Sequence, residues 1–192
     1  GGRILCPRKG SGSCLALSGD NRYHAIFGGK RCFAVCPSDT AVALTALQGK
    51  IVITGEKRKR IVPVEEFFTP LRSVLETGEI VTEVQVPRPA EKSKQTFLKF
   101  TLRKPIDFAM VSVASVISLQ DGICKEASIA LGAVAPSPLR ATKAERFIKG
   151  KSLTPEVASL AAEEAMKDAK PLSMNSYKIE QARALLQKAL LS

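Results

Sequence analysis

"FAMVSVASVISLQDGICKEASIALGAVA", residues 108–135, sets two β-branched, alternating runs on either side of Asp121-Gly122. An Asp-Gly pair accepts the left-handed backbone that a two-residue hairpin turn requires, so the runs read as antiparallel strands. Just upstream, "TFLKFTLR" (96–103) is a third run of the same kind, separated by "KPID". Together they predict a three-stranded antiparallel sheet. Helical patterns follow. "ATKAERFIKG" ends in Gly150, and "LTPEVASLAAEEAMKDA" has Thr154 as cap and Pro155 at the first helical position. "NSYKIEQARALLQKALL" places Ile179, Ala182, Leu185, Leu186, Ala189 and Leu190 on one stripe, which predicts a helix packed on the sheet. Strands first and helices after define an α+β unit.

Working back toward the N-terminus, "RPAEKSK" (88–94) is a polar, proline-containing break and the candidate domain boundary. Before it, "EIVTEVQVP" alternates with period two and predicts a strand with one face on a core. "KIVIT" and "RIVPVEEF" flank "GEKRKR", which predicts a hairpin over 50–65 with Gly55 at the turn and solvated cations at its tip. "EEFFTPLRSVLETGE" reads as a linking segment. "PSDTAVALTALQG" reads as a short helix capped by Ser38, with Asp39 at its positive end and Gly49 as its terminator. Residues 1–37 are irregular and rich in Gly, Cys and basic side chains.

The chain has 192 residues, 45% hydrophobic and 24% charged, enough to bury a core. It has no run of about 18 apolar residues, hence no expected membrane span. The first twenty residues lack a signal-peptide core, so the expected location is cytoplasmic. Net charge is +11, yet there is no Trp, only two Tyr and no nucleic-acid reading module. That argues against nucleic acid and for an acidic partner subunit or an anionic cofactor.

His24 is the only histidine, which restricts any hydrolytic triad to one base. Its aromatic and aliphatic neighbours favour a hydrogen-bonded structural role. No GxGxxG or P-loop spacing occurs, and the Gly pairs at 1–2 and 28–29 are too short for phosphate loops. Glu65–Glu66 and Glu163–Glu164 read as solvated charge. Five cysteines cannot all pair with one another. Cys124 reads as a core residue and Cys36 as either packing or ligand. Cys6, Cys14 and Cys32 lie in a polar, basic loop, where packing and thiolate ligation of a soft metal centre both stay open on the residues alone.

One ordered series of motifs runs through the chain: "GDNRYHAIFGG", "CFAVCPSDTAVALTALQGKIVI", "EEFF", "GEIVTEVQVP", "FLKFTLRKPIDFAMVSVA" and "IALGAVAPSPLRATKAE". This series resembles the FAD-binding (medium) subunit of the xanthine dehydrogenase family of molybdenum hydroxylases. It is most similar to the branch containing 4-hydroxybenzoyl-CoA reductase and aldehyde oxidoreductases, in which an inserted loop carries cysteines for an additional 4Fe-4S cluster. The resemblance implies an α+β fold: the back part of a PCMH-type FAD-binding domain over 1–88, with a Cys-rich insert at 1–37. A small CO dehydrogenase flavoprotein C-terminal-like domain follows over 93–192.

The resemblance further implies that Ser38 and Asp39 lie at the flavin-side helix, with the Asp near the ribityl chain or ring. Val81 would pack on the isoalloxazine, and Lys99 would stand at its polar edge. Asp107 and Arg103 would lie close by. Cys6, Cys14 and Cys32 would be cluster ligands, with a fourth cysteine upstream of Gly1 and residues 1–35 mobile without the cluster. Two departures stand out: Cys36 where His is expected, and Pro105–Ile106 in place of more polar residues; neither supports NAD as acceptor. The family's glycine-rich pyrophosphate loops are not in this sequence, so a truncated or split subunit is expected. The implied partners are a molybdopterin-binding large subunit and a 2Fe-2S small subunit. Substrate chemistry would occur at molybdenum, leaving this chain with electron transfer through FAD and no catalytic residue of its own. The rival reading is a non-catalytic assembly module that binds no flavin by itself.

Overall fold

The computed structural model describes residues 6–10, 12–70, 72–104 and 106–192. Pro105 and the Gly1–Gly2 pair, singled out in the sequence, lie outside them. Two antiparallel sheets organise the chain. The larger follows the order β4(Lys94–Phe100)–β5(Val111–Gln120)–β6(Ile123–Gly132)–β7(Leu139–Arg140). The three predicted strands are present, and β7, only two residues long, adds a fourth at the edge. The turn after β5 runs through Asp121 and Gly122 with φ of 51° and 75°, the left-handed pair that the Asp-Gly reading requires.

Alternation on β5 and β6 sorts residues to two faces. Val111, Val113, Ile117, Ile129 and Leu131 join the core beneath α3(Thr142–Ile148), α4(Pro155–Met166) and α5(Tyr177–Leu191). Thr154 caps α4 by accepting a bond from the Val157 amide at 3.3 Å. Ala182, Leu186, Ala189 and Leu190 of the predicted α5 stripe are buried, with Ile179 and Leu185 packed at its margin.

The opposite face carries Ala114 and Ala130, and on it sits α1(Asp39–Ala46) through Val42 and Ala46. Close docking depends on Gly132. A Cβ there would come within 2.2 Å of Ser112 Oγ and 2.5 Å of Val42 Cγ2. α1 ends as a Schellman motif: the Gly49 amide donates to Leu44 O at 2.8 Å and the Gln48 amide to Thr45 O at 3.1 Å. The left-handed residue is Gln48 (φ 55°), so the predicted terminator Gly49 sits one position further on.

The smaller sheet has the order β2(Lys59–Pro63)–β1(Lys50–Thr54)–β3(Ile80–Gln85). Its hairpin is as predicted, but its cations are not simply solvated. Arg58 pairs with Glu76 at 2.8 Å, Lys59 with Glu83 at 2.7 Å and Arg60 with Glu79 at 2.6 Å. Sequence could not place the acidic 76–83 segment across the sheet. Arg60's hydrogen bonds hold the Glu79 carboxyl down to about 2. The expected one-sided burial of β3 is corrected: all six of its residues are exposed. Ile51, Ile53 and Val62 are covered by Val64, Phe67 and Phe68 around α2(Val64–Phe67), and β3 lies at the edge beyond that cover.

The segment before α1 is a strap across the larger unit, although the sequence suggested a loop needing a cluster for order. Asn21, fully buried, donates from Nδ2 to Ala16 O and Ser173 Oγ, and its Oδ1 accepts from the Met174 amide. Ile26 and Phe27 amides donate to Val134 O, and the Cys36 amide to Ala135 O. No helix among the described residues is long and apolar enough to cross a membrane.

Candidate functional site

Ser38 has extended backbone, and its Oγ accepts from the Ala41 amide at 3.1 Å, which starts α1. Asp39 is the first helical residue, where a carboxylate meets the positive helix end. On β4, Gln95, Phe97 and Lys99 point to the face that α1 covers, because they pair with Val116, Ala114 and Ser112 of β5. The result is a direct contact: Lys99 Nζ lies 2.6 Å from Asp39 Oδ2, sixty residues away in sequence. Both side chains keep partial exposure (26% and 39%), so further donors and acceptors face outward. Thus the structure joins two of the predicted residues, Asp39 and Lys99, across the proposed boundary, with Ser38 beside them as the helix cap.

Arg103 and Asp107 form a second unit. Arg103 Nη2 and Nε reach Asp107 at 3.0 and 3.2 Å, and the Phe108 amide adds a bond at 2.9 Å. These bonds lower the Asp107 carboxyl, with Arg103 the largest cause. The pair lines a cleft of about 430 Å³ with Tyr23, Leu102, Phe108 and Lys178. Ile106 and Phe108 are strongly exposed beside it. Val81 stands apart on the smaller sheet, opposite Ile53 of β1, with 41% exposure. It offers an open apolar surface and is no core residue.

Sequence missed Lys178. It occupies the first turn of α5 and is only 1% exposed, with Nζ donating to Tyr23 O at 3.0 Å and Ala133 O at 2.9 Å. Ala133 has a left-handed φ of 58°, a conformation unusual for alanine that this bond helps to hold. Burial pushes the Lys178 ammonium down to about 8. Beside it, Tyr177 Oη donates to Arg22 O at 2.6 Å and Asn175 Nδ2 to His24 O at 3.0 Å. The expected hydrogen bond of the His24 ring is not seen at Nδ1, which is buried without a partner.

The cysteines are free, and the structure does not gather Cys6, Cys14 and Cys32. No group of three His, Cys, Asp or Glu side chains with metal-holding geometry occurs among the described residues. Cys6 and Cys14 are partly exposed beside short 3-10 turns, whereas Cys32 is 3% exposed. The loop composition hid that burial, which the strap provides. As placed, these thiols do not fit a 4Fe-4S ligand set. Cys36 and Cys124 are buried, and desolvation raises both thiols. FAD fares differently. A cation and a carboxylate at a partly open helix start fit the polar edge of a flavin, whereas Val81, on the smaller sheet, is not brought against them.

Comparison with known proteins agrees with this architecture. Residues 18–89 match the family described as FAD binding domain in molybdopterin dehydrogenase, and residues 96–192 match the CO dehydrogenase flavoprotein C-terminal domain. An aldehyde oxidoreductase FAD-binding subunit of Escherichia coli (strain K12) is 32% identical over 194 residues, covering 96% of this chain and 58% of the relative. The glyceraldehyde dehydrogenase medium chain of Sulfolobus acidocaldarius is 30% identical over 173 residues, covering 88% and 61%. The crystal structure of quinoline 2-oxidoreductase from Pseudomonas putida 86 superposes with a TM-score of 0.74 at 27% identity, over 88% of this chain and 63% of that one. The chain spans less than two thirds of the length of these relatives. The two matched families, one after the other along the chain, define a flavoprotein-type subunit. The chain belongs to the FAD-binding subunit family of xanthine dehydrogenase and CO dehydrogenase.

Proposed function

We propose that this chain is the flavin-side electron-transfer part of a molybdenum hydroxylase-type complex. The contact between Lys99 and Asp39 carries the reading. It sets a cation and a carboxylate at one edge of α1, the place where the family resemblance expects the flavin. Ser38 holds the helix start, Asp39 orients the ammonium, and Lys99 turns its remaining N–H groups outward. Val81 lends apolar surface, and the Arg103–Asp107 pair fixes the loop after β4. FAD, when bound, supplies a carrier for electrons taken elsewhere in the complex, and an ammonium at its polar edge favours the anionic reduced form. Substrate chemistry belongs to a molybdopterin-binding large subunit, reached through a 2Fe-2S small subunit.

Residues 1–192 contain no glycine-rich loop whose amides could cradle a pyrophosphate, a large share of FAD anchoring. The isolated chain should therefore bind FAD weakly. A yellow protein with stoichiometric FAD after gel filtration would overturn that expectation. Within an assembled complex, Lys99→Met should lower the flavin's reduction potential; an unchanged potential removes Lys99 from the site.

A further inference from the structure

α1 is eight residues long, and β5 and β6 beneath it are ten each. At about 1.5 Å of rise per helical residue against about 3.3 Å per strand residue, the helix covers only part of its face of the sheet. Its N-terminal end covers Ser112 and Gly132, near Lys99. Beyond its C-terminal end, at Leu47 and Gln48, another part of the face is the floor of a trough of about 490 Å³. That volume is in the range of small-molecule sites. The floor is small and partly polar, made by Val116, Ser118 and Ser128. One wall is the Pro87–Ala90 segment, and the other is α3.

Three cations line this trough: Arg88, Arg146 and Lys149. None of them makes an ion pair among the described residues. Two acids also line it. Glu145 is committed, since its oxygens accept from Arg140 at 2.8 and 2.9 Å and from the Ile129 amide at 2.7 Å. Glu126 is left as the single opposing charge. The floor adds a second, independent observation. Ser128 is 4% exposed, and its Oγ has no hydrogen-bond partner. A buried hydroxyl without a partner costs stability that a bound acceptor would restore.

We propose that this trough binds a small oxyanion-bearing molecule, a phosphate or a polycarboxylate, between Arg146, Lys149 and Arg88. Guanidinium groups engage planar or tetrahedral oxyanions through paired N–H bonds, and Lys149 adds a point charge. The trough lies at the opposite end of α1 from the Asp39–Lys99 contact, so it is a second site, independent of the flavin reading.

Calorimetric titration of the full chain at low ionic strength, with pyrophosphate in one arm and citrate in the other, tests this. Binding of either probe at one site supports the proposal and names the anion class. Arg146→Ala/Lys149→Ala should weaken it by about tenfold or more, and Ser128→Ala should weaken it measurably. The charge-matched Lys167→Ala/Lys188→Ala variant and Lys99→Met should leave it unchanged. Absence of binding in both arms overturns the proposal. So does an equal loss in the charge-matched control, which means diffuse attraction, or a loss in Lys99→Met, which assigns the anion to the flavin side.

Discussion

Replacing Lys178 with methionine separates the two opposing effects of its burial. The side chain is 1% exposed and its Nζ satisfies the carbonyls of Tyr23 and Ala133 at 3.0 and 2.9 Å. Losing these bonds strands two buried acceptors, at about 1–3 kcal/mol each. Burial also opposes the charge, holding the ammonium at about 8 against an ordinary 10.5. At about 1.4 kcal/mol per unit, the charge costs roughly 3 kcal/mol. Below pH 8 the lysine is protonated both folded and unfolded, so this cost is fully present. Between pH 8 and 10.5 only the unfolded chain holds the proton, and stability of the wild type rises through that window. At pH 7 the two effects nearly cancel, leaving Lys178→Met within about 2 kcal/mol of wild type. By pH 10 the gap should have widened against the variant by about 2–3 kcal/mol. Urea denaturation of both proteins at pH 7, 8.5 and 10 reads the gap directly. A gap that stays constant or narrows with pH refutes the reasoning.

Glu79→Gln should flatten acid sensitivity. Because Glu79 is lowered to about 2, its ion pair stabilises fully above about pH 4.5 and is lost as pH falls through 2; acid titration of both proteins by circular dichroism checks it. Gly132→Ala should destabilise by about 1–3 kcal/mol, because the added Cβ meets Ser112 and Val42 and must push α1 outward; thermal unfolding measures the loss. In thiol labelling, Cys6 and Cys14 should react well before the buried Cys32, Cys36 and Cys124. Fast labelling of Cys32 would contradict the packed strap. Anaerobic reconstitution of the chain should leave little iron, and a full cluster complement would show that Cys6, Cys14 and Cys32 can converge.

Local chemistry was legible where one residue type has one physical use. Asp121-Gly122, the Thr154-Pro155 start and the Ser38 cap each fixed an element in sequence alone. Pairing at long range was not. The cations at 58–60 looked solvated because the acids that meet them lie some twenty residues on, at the end of the linking segment and in β3. β3 looked half-buried because alternation reports a capacity for burial, and the layer to cover that strand is not supplied by the described residues. Lys178 broke its helical stripe only because carbonyls of the strap and of the 133 loop converge on it. Asn21 and Asn175 do similar work, and Asn in irregular stretches gives little warning of such a role. The resemblance set Asp39 and Lys99 each beside the flavin without pairing them, and the strand register explains why Lys99 faces α1 and meets Asp39.

The most direct test of the flavin-side reading is a titration of isotope-labelled chain with FAD, followed through backbone amide shifts. Weak binding suits this measurement, since fast exchange reports each perturbed residue in turn. The account predicts saturable shifts at Ser38, Asp39, Val81 and Lys99, abolished by Lys99→Met. Absence of shifts at these residues at saturating FAD, or shifts confined to the Arg146–Lys149 trough, would contradict it.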